Sequence, residues 1–209
     1  MNSHLKTVYE PKLVKPLLVI EISGPSDPPG IAARMLIERS SAKPFAEYYS
    51  QNFPDHVIVT EDGTCRLPRY EFYESTRSKP NLLVACSDEG IFLDDPEGGY
   101  DVMENIIQIS SKHRASTIIL IDNIQAEPEN LIYVAATSKR LAGRLKTPDV
   151  NFLADTWLAG PAGILLGLCR LRSIDGLGIF INQTFEDTNE RKAEASLNLI
   201  QNLFKVKYA

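Results

Sequence analysis

The chain has few of the residues from which metal, redox or nucleotide sites are usually built. Its three cysteines, Cys65, Cys86 and Cys169, form no close-spaced pair. That argues against a disulfide framework and for a reducing, intracellular setting. Two of them lie in apolar surroundings and read as buried small hydrophobes. His4, His56 and His113 are widely scattered and no His-Glu-x-x-His occurs, so no metal is expected. Neither Gly-x-Gly-x-x-Gly nor Gly-Lys-Ser/Thr is present, so no cofactor is expected either. The longest apolar runs, such as Leu17–Ile20 and Ile118–Ile121, are far too short to span a bilayer. The N-terminal residues lack the continuous apolar core of a secretory signal. Lys plus Arg number 22 against 27 Asp plus Glu, with signs mixed, which leaves no basic footprint for nucleic acid. These exclusions point to a cytoplasmic protein that binds neither nucleic acid nor membrane. At 209 residues it is long enough for one domain with a full core.

What is present is an alternation of apolar strands with helices. Pro16 to Ser23 is a β-branched apolar run ending in the turn-rich Gly24–Gly30, where Asp27-Pro28-Pro29 marks a helix start leading into Ile31–Ser40. Short mixed runs at Phe45–Tyr49, His56–Thr60, Cys65–Leu67 and Tyr70–Ser75 predict hairpins or irregular, partly solvated strands. Asn81–Asp88 returns to a nearly continuous apolar strand, the pattern of a sheet covered on both faces. Asp101 and Glu104 form a plausible capping pair ahead of Val102, Ile106 and Ile109 at helical spacing. Strands are expected at Ser116–Asn123 and Leu131–Thr137, then a polar helix at Ser138–Leu145; Lys146–Trp157 is the least readable stretch. Pro161 opens an almost wholly apolar helix, Leu177–Asn182 is a buried strand, and Asp187 with Glu190 caps a last amphipathic helix. This order predicts a three-layer α/β/α sandwich with a mostly parallel central sheet. One domain spans residues 1–204, with a short N-terminal extension and a tail at 205–209.

Ligands of open sheets bind beyond the carboxyl ends of the strands. The residues there that could carry chemistry are Asp27, Asp88, Glu89 and Asp122, candidates for general acid, general base or cation contact, or simply for satisfying loop N–H groups. Pro25, Pro28 and Pro29 remove the donors a phosphate cradle needs. Cys86 sits inside LLVAC with no local basic partner and reads as packing. Gly160, Gly163 and Gly167 suit close helix packing, and no nucleophile stands at that turn. The chain ends Lys205-Val206-Lys207-Tyr208-Ala209, a basic tail with one aromatic ring beside a carboxylate, a group suited to capture in a partner's pocket.

The blocks Asn52–Tyr73 (NFPDHVIVTEDGTCRLPRYEFY) and Gly160–Thr184 (GPAGILLGLCRLRSIDGLGIFINQT) resemble the PAC2 family, archaeal and bacterial homologues of the proteasome assembly chaperone. VIEISGPSDPPGIAARMLIE, LLVACSDEGIFLDDPEGGYDV and NERKAEASLNLIQNLF extend the resemblance over roughly residues 14 to 204. It implies a nucleoside-phosphorylase type of fold, homo-oligomers, and a chaperone-like role in binding proteasome core subunits, the α-subunits in particular, without an established catalytic site. In such chaperones the chain often ends in a hydrophobic residue, tyrosine and any last residue. Tyr208 and Ala209 fit that ending, with Val206 before them, but Lys207 holds the hydrophobic position. The family's glycine-rich loop is reduced here to Gly24-Pro-Ser-Asp-Pro-Pro-Gly30, and its double glycine is replaced by Asp122-Asn123. Both departures argue against a small-molecule activity. Two other readings stay open at this level: an α/β enzyme or nucleotide-binding protein with a carboxylate-lined crevice, and a protein that only assembles with itself.

Overall fold

A computed structural model describes residues 3–87, 96–145 and 150–208. Along the chain run β1 (His4–Thr7), β2 (Leu17–Glu21), α1 (Pro28–Arg39), β3 (Lys43–Tyr49), β4 (Ile58–Val59), β5 (Cys65–Arg66), β6 (Tyr70–Ser75) and β7 (Leu82–Ser87). There follow α2 (Pro96–Lys112), β8 (Thr117–Ile124), β9 (Ile132–Ala136), α3 (Lys139–Arg144), β10 (Asn151–Phe152), α4 (Gly160–Leu171), β11 (Gly176–Asn182) and α5 (Asn189–Phe204). Nine of the strands form one sheet in the order β1-β3-β6-β7-β2-β8-β11-β9-β10, and β4-β5 form a separate hairpin.

The centre of the sheet is parallel: β2 pairs in parallel with β7 and β8, and β8 with β11. These strands are apolar through their middles because both faces are covered, and polar residues enter only near their ends. The pleat sends alternate residues to opposite layers. Leu18, Ile20, Leu83, Ala85, Ile118 and Leu120 meet α2 and α4 on one face, through Val102, Met103, Ile106, Leu165 and Cys169. Leu17, Val19, Leu82, Val84, Ile119 and Ile121 meet α1, α3 and α5 on the other, through Ala33, Leu36, Leu141, Leu197 and Ile200. The expected three layers are therefore present. The parallel part does not extend to the flanks: β1, β3, β6 and β7 run as antiparallel neighbours, and β9 is antiparallel to β11.

Several local expectations change. The segment read as an N-terminal extension contains β1, an edge strand registered on β3 from His4 opposite Tyr49 to Thr7 opposite Ala46. The α2 helix begins before Asp101, so Asp101 and Glu104 are not its capping pair. Asp101 instead accepts from Asn52 Nδ2 (3.0 Å) and Ser3 Oγ (3.2 Å). Gly98 and Gly99 disguise that early start, and contacts explain them. A Cβ on Gly98 would lie 3.0 Å from Asn52, and one on Gly99 3.0 Å from Ile164 Cδ1. At α5 the N-cap is Thr188, whose Oγ1 accepts from Arg191 N (3.3 Å), rather than Asp187. The α4 helix ends at Leu171, before the end of the Gly160–Gly176 stretch that the sequence suggests for it. Of its three glycines only Gly163 is pressed by a neighbouring backbone: a Cβ there would lie 2.0 Å from the Leu158 carbonyl oxygen. Gly160 is needed for its positive φ of 70°.

Candidate functional site

The strand-end crevice is organised by a residue the sequence hid. Glu21, last in β2, is fully buried. One of its oxygens accepts from Ser87 N (2.6 Å) and Ser87 Oγ (2.7 Å). The other accepts from Gly24 N (2.8 Å). Burial pushes its pKa up; the Ser87 and Gly24 hydrogen bonds pull against that, and the neighbouring Asp122 charge adds to the rise. Because all three bonds go to backbone or side chain of this chain, Glu21 ties the end of β7 and the Gly24–Gly30 loop to β2.

The loop itself closes the amino end of α1. Asp27 is the N-cap by position, and its carbonyl accepts from Ile31 N (2.9 Å), but its carboxylate makes no cap. Pro28 and Pro29 bring no N–H, and a Cβ on Gly30 would fall 2.0 Å from the Gly24 carbonyl oxygen. Arg34 Nη2 donates to the Pro25 carbonyl and holds the loop down. An anion approaching this helix end finds a carbonyl where N–H donors would be needed.

Asp122, at the end of β8, faces the same loop. Its Oδ1 accepts from Ser23 Oγ (2.5 Å) and Asn123 N (2.8 Å). Burial raises its pKa, opposed by those two hydrogen bonds, and the charge of Asp27 raises it further. The charges of Asp27 and Asp122, and of Asp122 and Glu21, therefore act on one another at this end of the sheet. Asp88 and Glu89 lie outside the described residues. Asp122 keeps a second oxygen and a raised pKa, which suits proton exchange, and the hydroxyl beside it is that of Ser23, with no His or Lys among its hydrogen-bond partners in the described residues. Burial lifts the Cys86 thiol to about 12, leaving it protonated near neutral pH. Beyond the loop, a cavity of about 420 Å³ lies between α1 and β6–β7, lined by Pro25, Arg34, Glu71, Tyr73 and Ser87 among others. Glu71 there is paired with Arg69 (2.5 Å) and accepts from Tyr73 Oη (2.9 Å). Among the described residues no group of three or more His, Cys, Asp or Glu is placed to hold a metal ion.

The tail is anchored rather than free over its described part. Lys205 adopts the left-handed conformation (φ 57°) that ends α5, and Val206 N donates to the Gln201 carbonyl (3.1 Å). Val206 is buried in the α1–α5 layer at 2% exposure. Lys207 and Lys79 exchange two backbone hydrogen bonds of 2.9 and 3.0 Å. Tyr208 is half-buried beside the Arg39–Glu194 ion pair, and burial raises its pKa. Ala209 lies outside the described residues.

One further feature escaped sequence reasoning. Trp157, the chain's single tryptophan, is 88% exposed in the loop joining β10 to α4. Nothing in its spacing announced this, because that stretch has no periodicity.

Comparison with known proteins places these features. The PAC2 family model matches residues 26–208. The chain is 30% identical over 151 residues to an uncharacterized protein of Methanocaldococcus jannaschii, MJ1210, covering 70% of this chain and 57% of that relative's length. Among solved structures it is similar to Pyrococcus furiosus PbaB, described as an archaeal proteasome activator, with a TM-score of 0.82 at 21% identity over 100% of this chain and 91% of that one. It is similar also to Pyrococcus furiosus PbaA, an archaeal homolog of proteasome-assembly chaperone, with a TM-score of 0.75 at 17% identity, covering 100% of this chain and 84% of that chain. At these identities the structural likeness establishes the fold.

Proposed function

This chain belongs to the PAC2 family, and from that premise we propose that it is a non-enzymatic, homo-oligomeric, chaperone-like protein that binds proteasome core subunits, with the α-subunits as the expected partner. The observation that carries the reading is the strand-end crevice. Its buried carboxylate, Glu21, is met by three donors of the chain itself, and the helix end beside it is crowded by the Gly24 carbonyl and two prolines. A crevice whose buried carboxylate and helix end are engaged by the chain's own groups favours action through the surface. The descriptions of PbaA and PbaB supply the kind of partner.

The tail belongs to this proposal in a modified form. Val206 is part of the core and Lys207 is bridged to Lys79, so capture of the whole tail requires peeling it away. Re-exposing Val206 costs about 1.5–3 kcal/mol, and each backbone hydrogen bond about 0.5–1.5 kcal/mol more. The exposed part of the half-buried Tyr208 ring can be read by a partner without that cost. Deleting residues 205–209 would therefore unseat core packing as well as a handle. The sharper test is capture of purified proteasome α-subunits by Tyr208→Ala, which keeps Val206 in place. Weakened capture by a variant that stays folded, its melting temperature lowered only by the lost Tyr208 packing, supports the tail's role. Capture equal to wild type removes the tail, and absence of any complex at micromolar concentration removes the proteasome role.

A second reading retains one observation in its favour: Asp122 and Asp27 stand close enough for one charge to raise the other's pKa. An enzyme or nucleotide-binding protein built on them would be stabilised by nucleotides, nucleosides or Mg²⁺ in a thermal-shift screen.

A further inference from the structure

Trp157 sits next to a groove that its own side chain does not fill. The groove, of about 490 Å³, lies between the end of β9, α3 and α4, and Ala135, Ala136, Ala142, Leu158, Leu166 and Gly167 give it an apolar lining. We propose that this face is a self-association surface, in which Trp157 of one copy enters the groove of a second copy and the second copy's Trp157 enters the groove of the first. This rests on the homo-oligomeric reading above and gives that reading a specific contact.

Three observations support a second copy as the occupant. First, knob and hole share one loop: Leu158 lines the groove, and its neighbour Trp157 projects into solvent at 88% exposure. A projecting group adjacent to a complementary recess on one face is what a two-fold, isologous contact requires. Aromatic side chains of this size are also the usual anchors of protein interfaces. Second, the charges are complementary between copies. Exposed Asp155 stands two residues before Trp157, and Lys139 and Arg170 stand on the groove's rim. Arg170 is fixed there, its Nη1 donating to the Thr137 carbonyl (2.8 Å). A Trp157 inserted into the partner groove carries Asp155 toward those two cations. Third, the backbone is committed to presenting the knob and keeping the hole open. Asp155 has a φ of 50° and Gly160 a φ of 70°, and Gly163 is the glycine against which the Leu158 carbonyl rests. Mid-helix Gly167 leaves the groove floor bare, since a Cβ there would meet nothing within 4 Å.

The test uses the full chain and its single tryptophan. Light scattering and tryptophan emission are followed together over a dilution series. Wild type is expected to lose mass on dilution while its emission moves to the red and becomes accessible to iodide. Trp157→Ala is expected to shift to the monomer mass with an unchanged melting temperature, because the side chain touches little of its own copy. Gly167→Leu places its Cβ in open space and its branched end in the groove, and is expected to lose the assembly while keeping the fold. Asp155→Lys and Lys139→Glu should each weaken association, and their combination should restore it. An oligomer that survives both Trp157→Ala and Gly167→Leu overturns this contact while leaving a homo-oligomer in place. A wild type monomeric at every concentration overturns the contact and the homo-oligomeric reading together. Emission that shifts only when α-subunits are added assigns the face to them and overturns self-association.

Discussion

The strand ends and the β9–α4 face differ in where their chemistry is directed. At the strand ends, Glu21 and Asp122 are turned inward, and the donors that meet them belong to the same chain. At the β9–α4 face, Trp157 is turned outward beside a recess it does not occupy. Carboxylates at a strand end suggest an active site when seen in sequence, yet here one of them is a structural tie. An unpatterned stretch that suggested nothing presents the largest apolar side chain to solvent. Function in this molecule is better sought where side chains lack intramolecular partners than where the residue types look reactive.

Substitutions in the two regions should therefore fail in different ways. The largest effect is expected from Glu21→Ala, which leaves Ser87 N, Ser87 Oγ and Gly24 N without their buried acceptor. Unsatisfied buried donors cost about 1–3 kcal/mol each, so a loss of about 3 kcal/mol or more is expected in denaturant unfolding. A near-silent Glu21→Ala would show that the residue is not the tie described here. A smaller loss, about 1–3 kcal/mol, is expected for Gly163→Ala, because the new methyl must displace the Leu158 carbonyl. Its distinguishing effect is on association, since the displaced loop carries Trp157.

Asp122→Asn should have the smallest effect on stability, and of opposite sign. The folded protein holds the Asp122 proton more tightly than the unfolded chain does. Its contribution is therefore complete below the ordinary carboxylate pKa of about 4 and is lost as pH rises through the raised folded value. Asparagine keeps the Oδ1 acceptor for Ser23 and Asn123 and has no charge to bury. The variant is expected to melt slightly above wild type at neutral pH, with the gain disappearing in acid. A variant that melts below wild type at neutral pH would show that the charge itself holds the loop.

The legibility of the sequence follows the same division. The central strands β2, β7, β8 and β11 could be read because burial on both faces makes their middles apolar runs. Asp122 could be read because a carboxylate ending an apolar strand stands out. Glu21 could not: a lone charge within VIEIS looks like the strand reaching solvent, and only the fold places Ser87 and Gly24 around it. Strands β1 and β10 are too short and too polar to carry a period, and they exist because a neighbour supplies the pairing. The tail's residues were legible as a chemical group, but its anchoring depends on Lys79, distant in sequence. Exposure of Trp157 left no trace in composition or spacing.

Whether this protein acts through its surfaces or through its strand-end carboxylates is decided by α-subunit binding to wild type and to Asp122→Asn measured side by side. A complex at micromolar concentration, with the same affinity for both, is expected. Absence of a complex with wild type, or one abolished by Asp122→Asn, would contradict action through the surfaces.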